Sequence, residues 1–185
     1  MSRTFIISGE VHSGKTTFAA HLGGKLEADG IRVCGFICPG SFRDGERNVF
    51  DIEFLNSGEK LPFAKNEHVD KWLFFKRFSF NPVAFHKGNR LIIGAENTGQ
   101  IAIVVDEIGQ WELENGGWSE ALKSLLQKEK TIKLLVVRKK FVPQIIEKFH
   151  IPNPIIFDIQ NVSLQKAYEE IIYHRNNPLK PYHEN

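Results

Sequence analysis

The feature that restricts the fold most is the segment from Gly9 to Thr16 (GEVHSGKT), which matches the pattern GxxxxGK(S/T). It follows a short apolar run, Thr4–Ser8, and precedes a helical pattern in which Phe18, Leu22 and Leu26 recur every four residues. A glycine-rich turn between a strand and a helix surrounds one point with backbone N–H groups and with the positive end of the helix dipole. The segment therefore predicts an α/β fold with a loop that binds phosphate groups.

Each residue type in this loop suits the binding of a triphosphate. Glycine at positions 9 and 14 lets the backbone wrap closely around the phosphates, Lys15 places a charge near the outer phosphates, and the Thr16 hydroxyl is a hard oxygen ligand for Mg²⁺. We expect Lys15 to be catalytic as well, because it holds the charge of the phosphoryl group under attack. The predicted nucleotide-binding residues are Gly9, Glu10, Val11, His12, Ser13, Gly14, Lys15, Thr16 and Thr17.

A pair of acids ends a continuous apolar strand pattern, because Ile101–Val105 (IAIVV) runs directly into Asp106 and Glu107. Open α/β sheets bind ligands at the carboxyl ends of their strands, where an acid of the Walker B type holds Mg²⁺. We expect Asp106 to be the metal group, together with Thr16, and Glu107 to orient and deprotonate the attacking water. Asp106 follows Thr16 by 90 positions, which leaves room for intervening strands and favours P-loop proteins that activate water with a glutamate.

Apolar runs and helical patterns alternate along the chain, which predicts a doubly wound, mostly parallel sheet with helices on both faces. We expect Trp72–Phe80 to form one strand and Asn81-Pro82 to start a helix. Further strands are expected at Ile31–Cys38, Ile132–Val137 and Pro154–Phe157, and further helices at Glu120–Lys128, Pro143–Phe149 and Leu164–Ile172.

Residues 39–65 differ from this alternation. Asn48–Leu55 alternates apolar and polar residues, and Asn56-Ser57-Gly58 turns the chain into another short run, Leu61–Ala64. We expect these residues to form an inserted antiparallel β-hairpin, preceded by a turn-rich loop at Gly40–Glu46.

The composition indicates one globular domain, since 42% of the 185 residues are apolar and 25% are charged. We expect a P-loop domain over residues 1–175 and a polar tail over residues 176–185. Lys and Arg exceed Asp and Glu by two, which is no strong nucleic-acid signal. No apolar run approaches about 18 residues, and the first residues lack a signal-peptide pattern, so we expect a cytoplasmic protein without a membrane span. Cys34 and Cys38 are expected to be buried thiols.

Several short motifs occur in a characteristic order: Gly9–Thr17, Gly35-Phe36, the turn Arg43–Arg47, Arg77-Phe78, Asn81-Pro82, and Val105–Gly109 followed by Glu112. Together they resemble the family of small cancer-related nucleoside-triphosphatases, which includes enzymes of thermophiles. The resemblance covers about residues 3–175. It implies a single RecA-like P-loop domain and Mg²⁺-dependent hydrolysis of ATP, GTP and other nucleoside triphosphates. This chain departs from the family at Val11 and His12, where Pro and Gly are usual, and at Gln110-Trp111.

We therefore expect hydrolysis of ATP or another nucleoside triphosphate to the diphosphate and phosphate. The chain has no Asn-Lys-x-Asp motif, so a GTPase of the guanine-specific type is not supported. Two alternatives stay open. A small-molecule kinase would need an acceptor pocket, placed beneath the 39–65 hairpin, and arginines over the phosphates. A slow nucleotide-operated switch or assembly factor would need a protein partner, which the sequence does not identify.

A few further residues are weaker candidates. Arg138 follows the strand Ile132–Val137 and is expected to stabilise the charge of the transition state, with a solvated basic turn as the alternative. His12 either reaches the mouth of the site or is a solvent-facing loop residue. Arg77 either belongs to a buried structural ion pair or is a site residue. Trp111 and Trp118 form either a lid or partner surface, or a hydrophobic anchor for the following helix, and Arg43 and Arg47 lie near the site only if the hairpin leans towards it.

Overall fold

The apolar runs of the sequence form strands that pair in one continuous sheet. The structure, a computed structural model, describes residues 4–43, 46–96 and 101–177. In chain order its elements are β1 (Thr4–Gly9), α1 (Lys15–Ala28), β2 (Arg32–Ile37), β3 (Gly40–Arg43), β4 (Glu46–Phe54), β5 (Lys60–Lys65), β6 (Leu73–Phe75), β7 (Phe78–Phe80), α2 (Pro82–Ile93), β8 (Ile101–Ile108), α3 (Gln110–Leu113), α4 (Ser119–Leu126), β9 (Ile132–Arg138), a 3₁₀ turn (Lys139–Phe141), α5 (Val142–Lys148), β10 (Ile155–Asp158) and α6 (Leu164–Asn176).

The sheet has a parallel half and an antiparallel half. Its strand order is β10-β1-β9-β8-β2-β4-β5-β7-β6, and β3 pairs with β4 outside this path. The strands from β10 to β2 are parallel, whereas β2 pairs with β4 in antiparallel orientation at Phe36 and Phe54. β9 lies between β1 and β8, so a strand does intervene between the loop strand and the acid strand.

Helices cover both faces of the parallel half. The helices α1 and α6 pack on one face, where Leu22 and Ile171 join a core with Phe5 and Ile7. The helices α2, α4 and α5 pack on the other face, which also receives Ile6 of β1. Successive residues of β1 thus enter opposite cores, which explains why its sequence is a continuous apolar run. This arrangement confirms the predicted α/β class with a doubly wound, mostly parallel sheet.

Aromatic side chains dominate the core between the antiparallel half and α2. Trp118 is 1% exposed, and its ring centroid lies 4.3 Å from that of Phe85, 4.5 Å from that of Phe36 and 5.7 Å from that of Phe63. The 15 phenylalanines of the chain therefore serve in large part to fill this layer. The position of Trp118 confirms the anchor alternative for this residue.

The local sequence signals correctly predict where α2 starts and ends. Asn81 is the N-cap of this helix, and its side-chain oxygen accepts a hydrogen bond from the N–H of Val83 at 3.0 Å. Pro82 occupies the first turn, and the helix ends before Gly94. The predicted start and end of this helix are confirmed.

The antiparallel half is larger than the expected hairpin. The hairpin strands β4 and β5 are present, but Gly40–Arg43, predicted as a loop, is a strand paired with β4. The prediction of one strand over Trp72–Phe80 was wrong, because the chain reverses at Lys76 (φ 56) and forms the two strands β6 and β7. These strands are defined by pairing with neighbouring strands, which the local sequence pattern did not indicate. The helix α3 was not predicted.

Some expectations concern residues outside the described part of the chain. They are the turn Asp44-Gly45, the side chains of Arg43 and Arg47, and residues 178–185 of the polar tail. The helix α6 continues to Asn176, one residue beyond the expected domain limit. Among the helices of the described ranges, none has both the length and the apolar character that a membrane span requires.

Candidate active site

The glycine-rich loop connects the end of β1 to the start of α1. Gly14 is the N-cap of α1 with φ 94 and ψ 15, a left-handed conformation that favours glycine. A Cβ atom at Gly9 would lie 2.6 Å from Oγ of Ser13, so the loop also needs glycine at its first position. No side chain caps α1, and its first turn contains no acid. The N–H groups in the first turn of this 14-residue helix therefore remain available to bind an anion.

Lys15 lies across this loop. Its Nζ donates a hydrogen bond to the carbonyl oxygen of Glu10 at 2.6 Å. Burial lowers the pKa of Lys15, and the negative charges of Glu107 and Asp106 oppose this effect. Lys15 is therefore within electrostatic range of both acids that the sequence analysis selected.

Asp106 is buried at the end of β8 and is 1% exposed. Its Oδ2 accepts hydrogen bonds from Oγ1 of Thr16 and from the N–H of Cys38, both at 2.9 Å, and its Oδ1 accepts one from the N–H of Glu107 at 2.7 Å. Burial raises the pKa of Asp106 to about 6, and the charge of Glu107 contributes in the same direction. The structure thus brings Thr16 and Asp106 into direct contact across 90 residues.

This pair of oxygen groups fits a magnesium ion. Among the described residues, no group of three or more His, Cys, Asp or Glu side chains is arranged to hold a metal ion. Mg²⁺ does not require such a group, because it usually binds through one or two protein oxygens, phosphate oxygens and water. The Thr16 hydroxyl and the Asp106 carboxylate offer the protein part of such a set.

Glu107 follows Asp106 in an irregular part of β8. The pairing with β9 shifts between Val105 and Ile108, and Glu107 has a left-handed backbone with φ 59. This conformation costs a residue other than glycine about 1–2 kcal/mol. The irregularity directs the two adjacent acids differently, since Asp106 is buried while the Glu107 side chain is 31% exposed.

Arg138 lies beside Glu107 at the end of β9. Its guanidinium is 3.4 Å from Oε2 of Glu107 and its side chain is 42% exposed. In the register of the sheet, Arg138 pairs with Gly9, the first residue of the loop. The acid strand, the loop strand and the strand between them therefore end at one edge of the sheet.

The other candidates occupy the rim of this region. His12 is exposed and has φ 61, so the position where the family usually has glycine is indeed left-handed. Val11 and Thr17 are also exposed. Arg77 is exposed above the ring of Phe78, with 5.1 Å between the guanidinium carbon and the ring centroid, and is not a buried ion pair.

Glu112 was named only as part of a motif, and its contacts were not foreseen. It is 2% exposed, and it accepts hydrogen bonds from the N–H of Gly109 at 2.7 Å and from the N–H of Trp118 at 2.9 Å. Burial raises its pKa to about 7. A Cβ atom at Gly117 would lie 2.0 Å from Oε1 of Glu112. Glu112 thus fastens the segment that follows Glu107, and its hydrogen bond from the N–H of Gly109, three residues earlier, corresponds to the acidic half of a capping box.

A second residue that sequence analysis missed is Cys38. Its backbone N–H binds Asp106, and its side chain is fully buried without a disulfide. Any residue except proline offers the same N–H group, so no side-chain pattern identifies this contact.

Comparisons with known proteins identify the family of this chain. A family model described as NTPase matches residues 4–172. The nucleoside-triphosphatase THEP1 of Thermococcus kodakarensis is 29% identical over 157 residues, which cover 77% of this chain and 79% of that protein. The THEP1 protein of Methanocaldococcus jannaschii is 26% identical over 171 residues and covers 90% and 93% of the two chains.

Two solved structures share the fold. The solution structure of a human cancer-related nucleoside triphosphatase superposes with a TM-score of 0.72 at 20% identity, covering 97% of this chain and 100% of that one. The crystal structure of THEP1 from Aquifex aeolicus has a TM-score of 0.70 at 20% identity and covers 91% and 98%. The chain therefore shares its fold with these two proteins, and the match over residues 4–172 shows that it belongs to the NTPase family.

Proposed function

We propose that this protein is a Mg²⁺-dependent nucleoside-triphosphatase that hydrolyses ATP or GTP to the diphosphate and phosphate. The observation that carries the proposal is the 2.9 Å hydrogen bond from Thr16 to Asp106, with Glu107 as the next residue. It joins the start of α1 to the end of the acid strand, so that a phosphate-binding loop and a candidate base share one edge of the sheet. The curated relatives carry the name nucleoside-triphosphatase, which supports the same activity.

In this proposal, the loop binds the phosphates and holds them in place. The N–H groups of residues 9–16 surround the phosphate oxygens, and Lys15 moves from the carbonyl of Glu10 to the outer phosphates. Thr16 and Asp106 would hold the Mg²⁺ ion, which neutralises charge on the β- and γ-phosphates when it is bound. Thr17 and the exposed residues of the loop contact the nucleotide from its outer side.

Glu107 and Arg138 act on the other side of the γ-phosphate. The Glu107 carboxylate takes a proton from water while the water oxygen bonds to the γ-phosphorus, and the bond to the bridging oxygen of the diphosphate breaks. Arg138 is 3.4 Å from this carboxylate, a separation that leaves its guanidinium able to turn towards the phosphoryl oxygens. Positioning and charge stabilisation supply most of the catalysis in such a reaction.

The test compares two conservative variants. Glu107→Gln keeps the shape and removes the base, so we expect ATP affinity close to that of the wild type and a loss of about 10² to 10⁴ in kcat. Asp106→Asn should weaken Mg²⁺-dependent ATP binding as well as the rate, because the buried carboxylate loses its charge. ATP affinity by titration and phosphate release in a single turnover measure both effects.

The matched control is Glu114→Gln, which changes an exposed acid of the same segment that accepts a hydrogen bond from Gln110. It should hydrolyse ATP like the wild type. Near-normal hydrolysis by Glu107→Gln would exclude the glutamate-activated mechanism. Phosphate release by the wild type without any acceptor distinguishes hydrolysis from a kinase reaction.

A further inference from the structure

A cavity of about 920 Å³ opens beside Glu107. Of the loop from Gly9 to Thr16, only Val11 and His12 contribute to its wall, whereas Lys15 and Thr16 do not. Its other walls come from β4, β5, the turn between β6 and β7, α3 and the end of β9. The cavity therefore touches the phosphate-binding loop at Val11 and His12, excludes Lys15 and Thr16, and adjoins the proposed reaction centre at Glu107. Its volume lies in the range of small-molecule sites.

One wall of the cavity is a continuous row of aromatic rings. The rings of Phe50 and Phe78 meet edge to face at 5.8 Å, and Phe78 lies 6.2 Å from Phe80. Phe80 lies 4.7 Å from Trp111, which in turn stacks on Phe75 at 4.9 Å with an angle of 5° between the rings. All five side chains are partly buried and line the cavity. Such a wall favours a flat ring as its ligand.

The cavity also carries excess positive charge. Lys76 and Arg77 lie on the turn between β6 and β7, and Arg138 and Lys140 lie at the end of β9 and in the 3₁₀ turn that follows it. Among the described residues, no carboxylate is within ion-pair distance of Lys76, Arg77 or Lys140.

Two acids face these four cations. Glu112 is buried against two backbone N–H groups, and Glu107 makes only a 3.4 Å contact with Arg138. The cavity therefore attracts an anion.

We propose that this cavity is a second binding site, which takes a small planar aromatic molecule with a carboxylate, sulfonate or phosphate group. The ring lies against Phe78 and Trp111, and the anionic group faces Arg77 and Lys140. The site goes beyond the proposed hydrolysis, because a single attacking water needs neither this volume nor an aromatic wall. Its ligand binds next to Glu107 without occupying the phosphate-binding loop.

Two fluorescent probes that differ by one charged group test the site. The anionic probe is 8-anilinonaphthalene-1-sulfonate, and N-phenyl-1-naphthylamine is its uncharged counterpart. We expect the anionic probe to bind the wild type saturably with one molecule per chain. Saturating Mg²⁺ and the non-hydrolysable analogue β,γ-imido-ATP should leave this affinity within about twofold.

The double variant Arg77→Ala/Lys140→Ala removes two exposed cations of the cavity. It should bind the anionic probe about tenfold more weakly and the uncharged probe within about twofold of the wild type. The control Arg90→Ala/Lys166→Ala removes the same charges outside the cavity and should bind both probes normally. Unchanged affinity for β,γ-imido-ATP shows that each variant is folded. Three results would each overturn the proposal: no saturable binding of the anionic probe, its displacement by β,γ-imido-ATP, or an unchanged affinity in Arg77→Ala/Lys140→Ala.

Discussion

Two residues of the candidate active site, His12 and Glu107, have left-handed backbones although neither is glycine. Each conformation costs about 1–2 kcal/mol relative to an ordinary one. At Glu107 the strand β8 enforces the left-handed backbone, because three hydrogen bonds hold Asp106, the residue immediately before it. At His12 the glycine-rich loop itself requires the left-handed backbone. Strain of this kind persists where the surrounding structure determines the backbone, and it is concentrated at functional sites.

The first prediction concerns the backbone of His12. His12→Gly should raise the free energy of unfolding by up to about 1 kcal/mol, because relief of the left-handed strain exceeds the entropy that glycine adds to the unfolded chain. His12→Val should lower both stability and nucleotide affinity, since a β-branched residue fits this conformation worst. Urea unfolding and titration with β,γ-imido-ATP measure the two effects. Equal stabilities of the Gly and Val variants would show that the loop does not hold this conformation in solution.

The second prediction concerns the buried acid Glu112. Its pKa of about 7 lies above the ordinary 4.5, because burial disfavours the charged form. The folded protein therefore binds this proton more tightly than the unfolded chain does. The resulting stabilisation is complete below about pH 4.5 and is lost as the pH rises through about 7.

Glu112→Gln has no proton to lose at this position. The difference in unfolding free energy between the wild type and this variant should therefore shrink by about 1–3 kcal/mol from about pH 5 to about pH 8. Chemical denaturation at a series of pH values measures it. Parallel stability profiles of the two proteins would mean that Glu112 does not titrate in this range.

At the scale of elements, β2 and β8 approach each other closely at Gly35. This residue has φ 100, and a Cβ atom placed on it would lie 2.0 Å from the carbonyl oxygen of Val104. Directly after the end of β2 lies Cys38, whose N–H donates a hydrogen bond to Asp106. Glycine at this position therefore keeps the two strands in a register that also supports the acid of the candidate site.

We expect Gly35→Ala to lower the free energy of unfolding by about 2–4 kcal/mol, because the new methyl group meets backbone atoms and the residue keeps a left-handed φ. Gly24→Ala is the matched control. Gly24 lies on the exposed side of α1 with no atom within 4 Å of its would-be Cβ, so this change should stabilise the protein by about 0.5–1 kcal/mol. Thermal and urea unfolding measure the change in unfolding free energy of both variants. Similar effects of the two substitutions would contradict the close approach of the strands.

Elements with strong local signals could be predicted from the sequence, and strands that are recognised only through their pairing could not. The loop at Gly9–Thr16 and the start of α2 at Asn81-Pro82 carry their own backbone requirements, so a short window of sequence suffices. In contrast, β3 is a strand because it pairs with β4, and Lys76 reverses the chain because β6 and β7 pair with each other. The same reason explains why Asp106 and Glu107 were selected but the supporting contacts of Cys38 and Glu112 were not.

At the scale of the whole molecule, the candidate site lies where the parallel and antiparallel halves of the sheet meet. The parallel strands supply the loop, the two acids and Arg138 at their carboxyl ends. The antiparallel strands begin beside β2 and supply the aromatic wall of the cavity. The candidate catalytic edge of the parallel half therefore adjoins a pocket whose aromatic wall comes largely from the antiparallel half.

The two halves also differ in the sequence distance between paired strands. Apart from the pairing of β4 with β2, the strands β3 to β7 pair with neighbours within residues 40–80, whereas β1, in the described part of the chain, pairs only with β9 and β10, beyond residue 130. Closing such a long loop costs entropy before any contact is gained, so distant pairing is slow. The proposed phosphate-binding loop directly follows β1, so we expect it to be completed late in folding.

The order in which the two halves of the sheet form can be measured by pulsed hydrogen exchange during refolding, read out by mass spectrometry. Amides of β4 and β5 should become protected before those of β1, and the ability to bind β,γ-imido-ATP should appear together with protection of β1. Simultaneous protection of β1 and β4 would contradict the sequence of events. We therefore expect that, until the strands beyond residue 130 have joined β1, the proposed phosphate-binding loop is not formed and a partly folded molecule does not bind nucleotide prematurely.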